Sequence, residues 1–189
     1  MKKNARCKHR PSRLSILRLA VFCLVLTVAG CGAGSVRLDE TSAGPQLAAD
    51  PAAISLGVAK VAKTKMVFVG KGFAPQEKVM LVLHGADAAT REIMVPLGFG
   101  TADDRGRFAV EVEKQMKISN LLNADVVFGE KGPIVMVSGP PVPAGAYTVK
   151  ATGYQSNLEA TCALTLTEAS LADRVKDRIA RMLGKIASE

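Results

Sequence analysis

The stretch PAGAYTVKATG, residues 143–153, decides how the chain is read. Pro143 fixes its own φ and Gly145 tolerates turn geometry, so the chain reverses just before Tyr147. The next segment, 146–152, is rich in Thr, Val and Ala and ends at Gly153, as a β-strand does.

Working outward, short runs of Val, Ile, Leu, Phe and Thr recur between clusters of Gly, Pro, Asn and Asp. They span 66–69, 78–84, 92–97, 107–113, 126–128, 134–137 and 158–167. Two alternate cleanly. Phe108, Val110 and Val112 share one face against Arg107, Glu111 and Glu113. Leu158, Ala160, Cys162, Leu164 and Leu166 share one against Glu159, Thr161, Thr165 and Thr167. Strands at this spacing predict an all-β sandwich or barrel.

Three stretches, taken together, are similar to bacterial immunoglobulin-like domains. Gly70 to Val79 reads GKGFAPQEKV, matching the family's G-x-G-F-x-P-x-E-x-V. Asp103 to Phe108 reads DDRGRF, matching D-x-x-G-x-F. Pro143 to Gly153 matches P-x-G-x-Y-x-V-x-A-x-G. The resemblance covers roughly residues 54–167 and implies an immunoglobulin-like antiparallel β-sandwich of about seven to nine strands over 53–168, with Tyr147 placed rather like a tyrosine corner. These are framework positions and carry no activity. Gln76 stands where Gly is common. The segment 114–141 is longer than usual, contains Leu121-Leu122 and a hairpin around Gly129 to Gly132, and is the place to look for specificity.

The N-terminus has another texture. Seven basic residues from Lys2 to Arg18, with no acidic residue among them, precede an apolar run of about eleven residues over 19–29. That run suits a signal h-region and falls short of the roughly 20 residues that span a bilayer. It ends in Val28-Ala29-Gly30-Cys31, which resembles a bacterial lipobox. The resemblance implies a signal peptide over 1–30 and diacylglycerol on Cys31, with two or three chains anchoring the protein to a membrane of the cell envelope. Gly32 after the cysteine leaves delivery to an outer membrane open. Residues 31–52, dominated by Gly, Ala, Ser, Thr and Pro, read as a lipidated flexible tether.

Removing the signal also removes seven of the 25 Lys and Arg and none of the 17 Asp and Glu, leaving a net charge of about +1 from a formal +8. The high isoelectric point therefore says nothing of nucleic acid, and no aromatics interleave with basic residues as a stacking platform needs. Cys7 and Cys23 leave as well, so Cys162 is the one thiol besides Cys31 and no internal disulfide is expected. On the apolar face of its strand, Cys162 reads as a small core residue.

Catalysis finds little support. His84 is the one histidine beyond the signal, on a predicted strand. Nucleophile-elbow, P-loop and zinc-ligand spacings are absent, and Asp103-Asp104 reads as a turn rather than a calcium site. The expectation is a noncatalytic protein without cofactor or metal.

After Glu168 the period changes. Leu171, Val175, Ile179, Met182 and Ile186 fall on one stripe at helical spacing, with Leu183 beside it, Ser170 as N-cap and Asp173 in the first turn. The opposite face carries Arg174, Lys176, Asp177, Arg178, Arg181 and Lys185. Residues 169–189 are thus expected to be an amphipathic helix that folds back on the sandwich, docks on an envelope partner or another copy, or lies on anionic lipid. The expected function is a structural or protein-interaction module of the envelope. The alternative is an accessory factor that binds a small solute or polysaccharide through 114–141.

Overall fold

The computed structural model describes residues 38–86, 91–130 and 132–188. The signal region 1–30, Cys31 and the start of the tether lie outside them. The fold is mostly β, in several sheets.

The alternating segments supply the strands that bury most. In β4 (Lys78–Ala86), Val79, Leu81 and Leu83 point inward and are fully buried. Inward residues of β9 (Gly145–Gly153) and β10 (Glu159–Thr167) include Val149, Ala151 and Leu164, also fully buried. These strands, with β2 (Ala53–Ser55) and β5 (Glu92–Thr101), form a sheet ordered β2-β10-β9-β4-β5. A second sheet, β1 (Gln46–Asp50), β3 (Val67–Lys71) and β6 (Phe108–Glu111), is antiparallel throughout. Phe68, Phe108 and Val110 of this second sheet join Leu81, Leu83, Val149 and Leu164 in one hydrophobic core, which makes the arrangement sandwich-like. Each such side chain contributes about 1.5–3 kcal/mol on burial.

Three turns hold the strands in place. Tyr147, buried, donates its hydroxyl to the Pro143 carbonyl at 2.8 Å, as the sequence predicts. Between β5 and β6, Asp103 Oδ1 accepts from the Arg105 and Arg107 amides at 2.8 and 2.9 Å, and these bonds hold its carboxyl below the usual carboxylate range. Gly106 closes that turn with φ 70°, where a Cβ would also strike the Phe73 carbonyl. At the third turn, fully buried Glu77 accepts from the amides of Ala74 at 2.6 Å, Gln155 at 3.2 Å and Ser156 at 3.1 Å, and from the Ser156 hydroxyl at 2.8 Å. Burial pushes this carboxyl up, but the donors outweigh it and leave it below the ordinary value.

The structure corrects the expected tether. Gln46–Asp50, within it, is strand β1, paired with β3; Ala53–Ser55, at the start of the expected sandwich, is β2, parallel to β10. The flanking Pro45 and Pro51 bound the strand instead of dissolving it, because β1 lies at a sheet edge.

Among the described residues, two helices accompany the strands before the C-terminal one. Helix α1 (Val58–Lys63) follows β2, and α2 (Lys114–Leu122) opens the long insertion. Ile118, Leu121 and Leu122 of α2 enter the core, and Asn123 ends the helix in the left-handed region at φ 47°. Buried Lys117 donates its ammonium to the Thr64 carbonyl at the end of α1, and burial pushes its pKa down. The insertion then runs through the hairpin of β7 (Ala124–Gly129) and β8 (Gly132–Val137). Together with β11 (Ile186–Ser188), it makes a third sheet ordered β11-β8-β7.

Candidate functional site

Helix α3 (Leu171–Met182) starts as its sequence dictates. The Asp173 amide donates to Ser170 Oγ at 3.1 Å, and Ser170 Oγ donates to Asp173 Oδ2 at 2.7 Å. Its ending differs from expectation. The helix stops at Met182, Gly184 takes φ 67°, and Ile186 leaves the stripe to become a buried residue of β11, paired in parallel with Val135 of β8. Gly184 permits this exit because it carries no Cβ to oppose a positive φ.

The face by which α3 meets the domain is its polar one. Ser55 Oγ of β2 donates to Asp173 Oδ2 at 2.9 Å, and the two serine hydroxyls, Ser170 first, hold the Asp173 carboxyl below the usual range. One turn on, Asp177 accepts from the Val58 and Ala59 amides at 2.8 and 2.9 Å. Helix α1 has no cap of its own, since Gly57 stands at its N-cap, so Asp177 serves instead. The approach is close: a Cβ on Gly57 would lie 2.7 Å from Asp173 Cβ.

The stripe therefore turns outward. Leu171 is 80% exposed, Met182 83%, Val175 58% and Ile179 51%. Arg174, Arg178 and Arg181 stand exposed alongside, Arg174 bonded to Glu168 at 2.9 Å. Of the five stripe residues read from sequence, the structure keeps four together and removes Ile186.

Beside the stripe, α1, α3 and the third sheet enclose a cleft of about 830 Å³. Val58 and Ala62 of α1, Val126 and Val135 of the insertion, and Ile179 and Leu183 at the α3 end form its apolar wall. Lys63, Lys114, Lys176 and Lys185, all exposed, stand around it. The sequence pointed to 114–141 as the individual part of the domain but not to its meeting with α1 and α3. The available signal was the pair Asp173 and Asp177, acidic residues four apart on an otherwise basic face.

His84 lies on the outward face of β4, its Nδ1 4.0 Å from Glu92 Oε1. Cys162 is half-buried against the core, and burial pushes its thiol up to about 11. Among the described residues no helix is long and apolar enough to cross a membrane.

No protein-family model and no curated protein matches the chain. Among solved structures, a β-glucosidase from Kluyveromyces marxianus aligns at 14% identity with a TM-score of 0.32. The alignment covers 69% of this chain and 15% of that one.

Proposed function

We propose that the chain is a noncatalytic, lipid-anchored protein of the cell envelope, whose immunoglobulin-like sandwich presents α3 as a contact surface for an envelope protein partner or a second copy of itself. One observation carries the contact surface. Asp173 and Asp177 fasten the helix to the domain, and Leu171, Val175 and Met182 are left in water. The immunoglobulin-like reading draws support from the Tyr147 bond to Pro143 and from β1 and β2, which join different sheets, β2 running parallel to β10. Anchoring rests on the lipobox resemblance at Cys31 and places the protein on the periplasmic face or the cell surface.

Two measurements test this reading. Cys31→Ser should move the protein from the membrane fraction to the soluble one; unchanged membrane association would remove the anchor from Cys31. Crosslinking in intact envelopes should recover a neighbour that is lost when Leu171, Val175 and Met182 are changed together to Ser. Recovery of the same neighbours by both forms would assign recognition elsewhere on the sandwich.

A second reading, binding of a small ligand through the insertion, is favoured by the cleft that Lys114, Val126 and Val135 help to build.

A further inference from the structure

The cleft beside α3 has an unusually narrow chemical vocabulary. Every residue lining it is Val, Ala, Ile, Leu, Pro, Gly or Lys. Among the described residues it offers no carboxylate, hydroxyl, side-chain amide, imidazole or aromatic ring. A sugar would need paired donors and acceptors and an aromatic face to stack on, and none lines this cleft. A metal ion would need oxygen, nitrogen or thiolate ligands, and a cationic ligand would meet four like charges.

What remains is an apolar body with a negative head. The apolar wall removes methylenes from water. Lys63 at the end of α1, Lys114 at the start of α2, Lys176 on α3 and Lys185 just before β11 bring four lysines to the lining of one cleft from four separate places in the chain. None of them forms a salt bridge among the described residues. Lys65 and Lys150 have carboxylate partners, Glu111 at 3.2 Å and Glu159 at 2.6 Å, whereas no acidic residue stands among those lining this cleft. A volume of about 830 Å³ suits one long acyl chain.

We infer that the cleft between α1, α3 and the insertion sheet binds one single-chain anionic amphiphile of the long-chain fatty-acid class. The acyl chain lies along Val58, Val126, Val135 and Ile179, and the carboxylate is met by Lys176 and Lys185 with Lys63 and Lys114. This rests on the second reading, that the insertion builds a ligand site, and is independent of lipid on Cys31.

The test uses a dansylated fatty acid as fluorescent probe and palmitate as competitor. The expected result is saturable binding of one probe per chain, displaced by palmitate and not by cetyltrimethylammonium. The double change Lys176→Glu, Lys185→Glu, on exposed positions where folding is not at stake, should weaken it about tenfold or more. Ala180→Trp, which fills the cleft, should abolish binding with the melting temperature retained. If cetyl alcohol competes as well as palmitate and the lysine changes have no effect, the cleft is a ligand site but the anionic assignment falls. If no amphiphile binds, or binding survives Ala180→Trp, the ligand site falls with it. Binding to phosphatidylglycerol vesicles alone would make this face a membrane surface. Self-association broken by Ala180→Trp without probe binding would make it a seat for a second copy. Either result overturns the proposal.

Discussion

At Glu77 the sequence contributes a charge at a fully buried position. Its carboxylate is fully buried and gathers three backbone amides and a hydroxyl from both sides of the sandwich end. Glu77→Ala leaves those donors without a partner. The expected loss is about 3 kcal/mol, a fall in Tm of roughly 6–12 °C by calorimetry. The pH dependence has a definite sign. With its folded pKa below the ordinary value of 4.5, Glu77 adds stability that is complete above that value and disappears as pH falls through it toward the folded pKa. Asp103 and Asp173, also held low, act in the same direction. In Glu77→Gln, denaturant titrations should show a flatter loss of stability below about pH 4.5. Cys162 gives a second residue-level prediction. With its thiol raised to about 11, labelling by a disulfide reagent, followed by peptide mapping, should be slow at neutral pH and quicken steadily in alkali. Rapid modification at pH 7 would show that the thiol is not buried. Gln76 shows how a departure from pattern becomes legible: where the resembled motif has Gly, this residue adopts φ 61°, and its amide compensates by donating to Asp104 at 2.7 Å.

Helix α3 shows what periodicity conveys and what it leaves open. Its start, its stripe and its capping serine are all visible at a spacing of 3.6 residues. Which face meets the domain is not, because that depends on the uncapped end of α1, six residues long and too short to announce itself. Apolar stripes usually face inward; here two aspartates reverse the rule, Asp177 by satisfying amides that no local side chain reaches and Asp173 by accepting the Ser55 hydroxyl. The prediction is an inverted mutational pattern. Asp177→Ala should cost about 1 kcal/mol, the ordinary worth of an N-cap. Val175→Asp, on the apolar face, should change stability by no more than about 0.5 kcal/mol. Thermal melts of the two variants check this directly. The reverse ranking would mean that the stripe packs inward. Strand β11 lay beyond sequence reading for a related reason: Ile186 continues the helical period, and only Gly184 and pairing with Val135 take it out of the helix.

For the whole molecule, legibility followed punctuation. The strands around Asp103-Gly106 and Pro143-Gly145 were readable because turn residues fix them locally. Strand β5 runs past its expected end at Leu97 through Gly98 and Gly100 to Thr101, because pairing with β4 holds it across a bulge near Pro96. Strand β1, Ala-rich and between prolines, has little propensity of its own and exists by pairing with β3. Helix α2 and the cleft depend on residues meeting from distant parts of the chain, which no local pattern encodes.

The cap on α1 also has a meaning in time. The amides of Val58 and Ala59 are satisfied by a side chain 119 and 118 positions later. During synthesis helix α1 stays incomplete until Asp177 has left the ribosome. A chain interrupted anywhere before Asp177 keeps a frayed opening turn beside β2, so a residue made long afterwards acts as the closing latch of a helix begun before it.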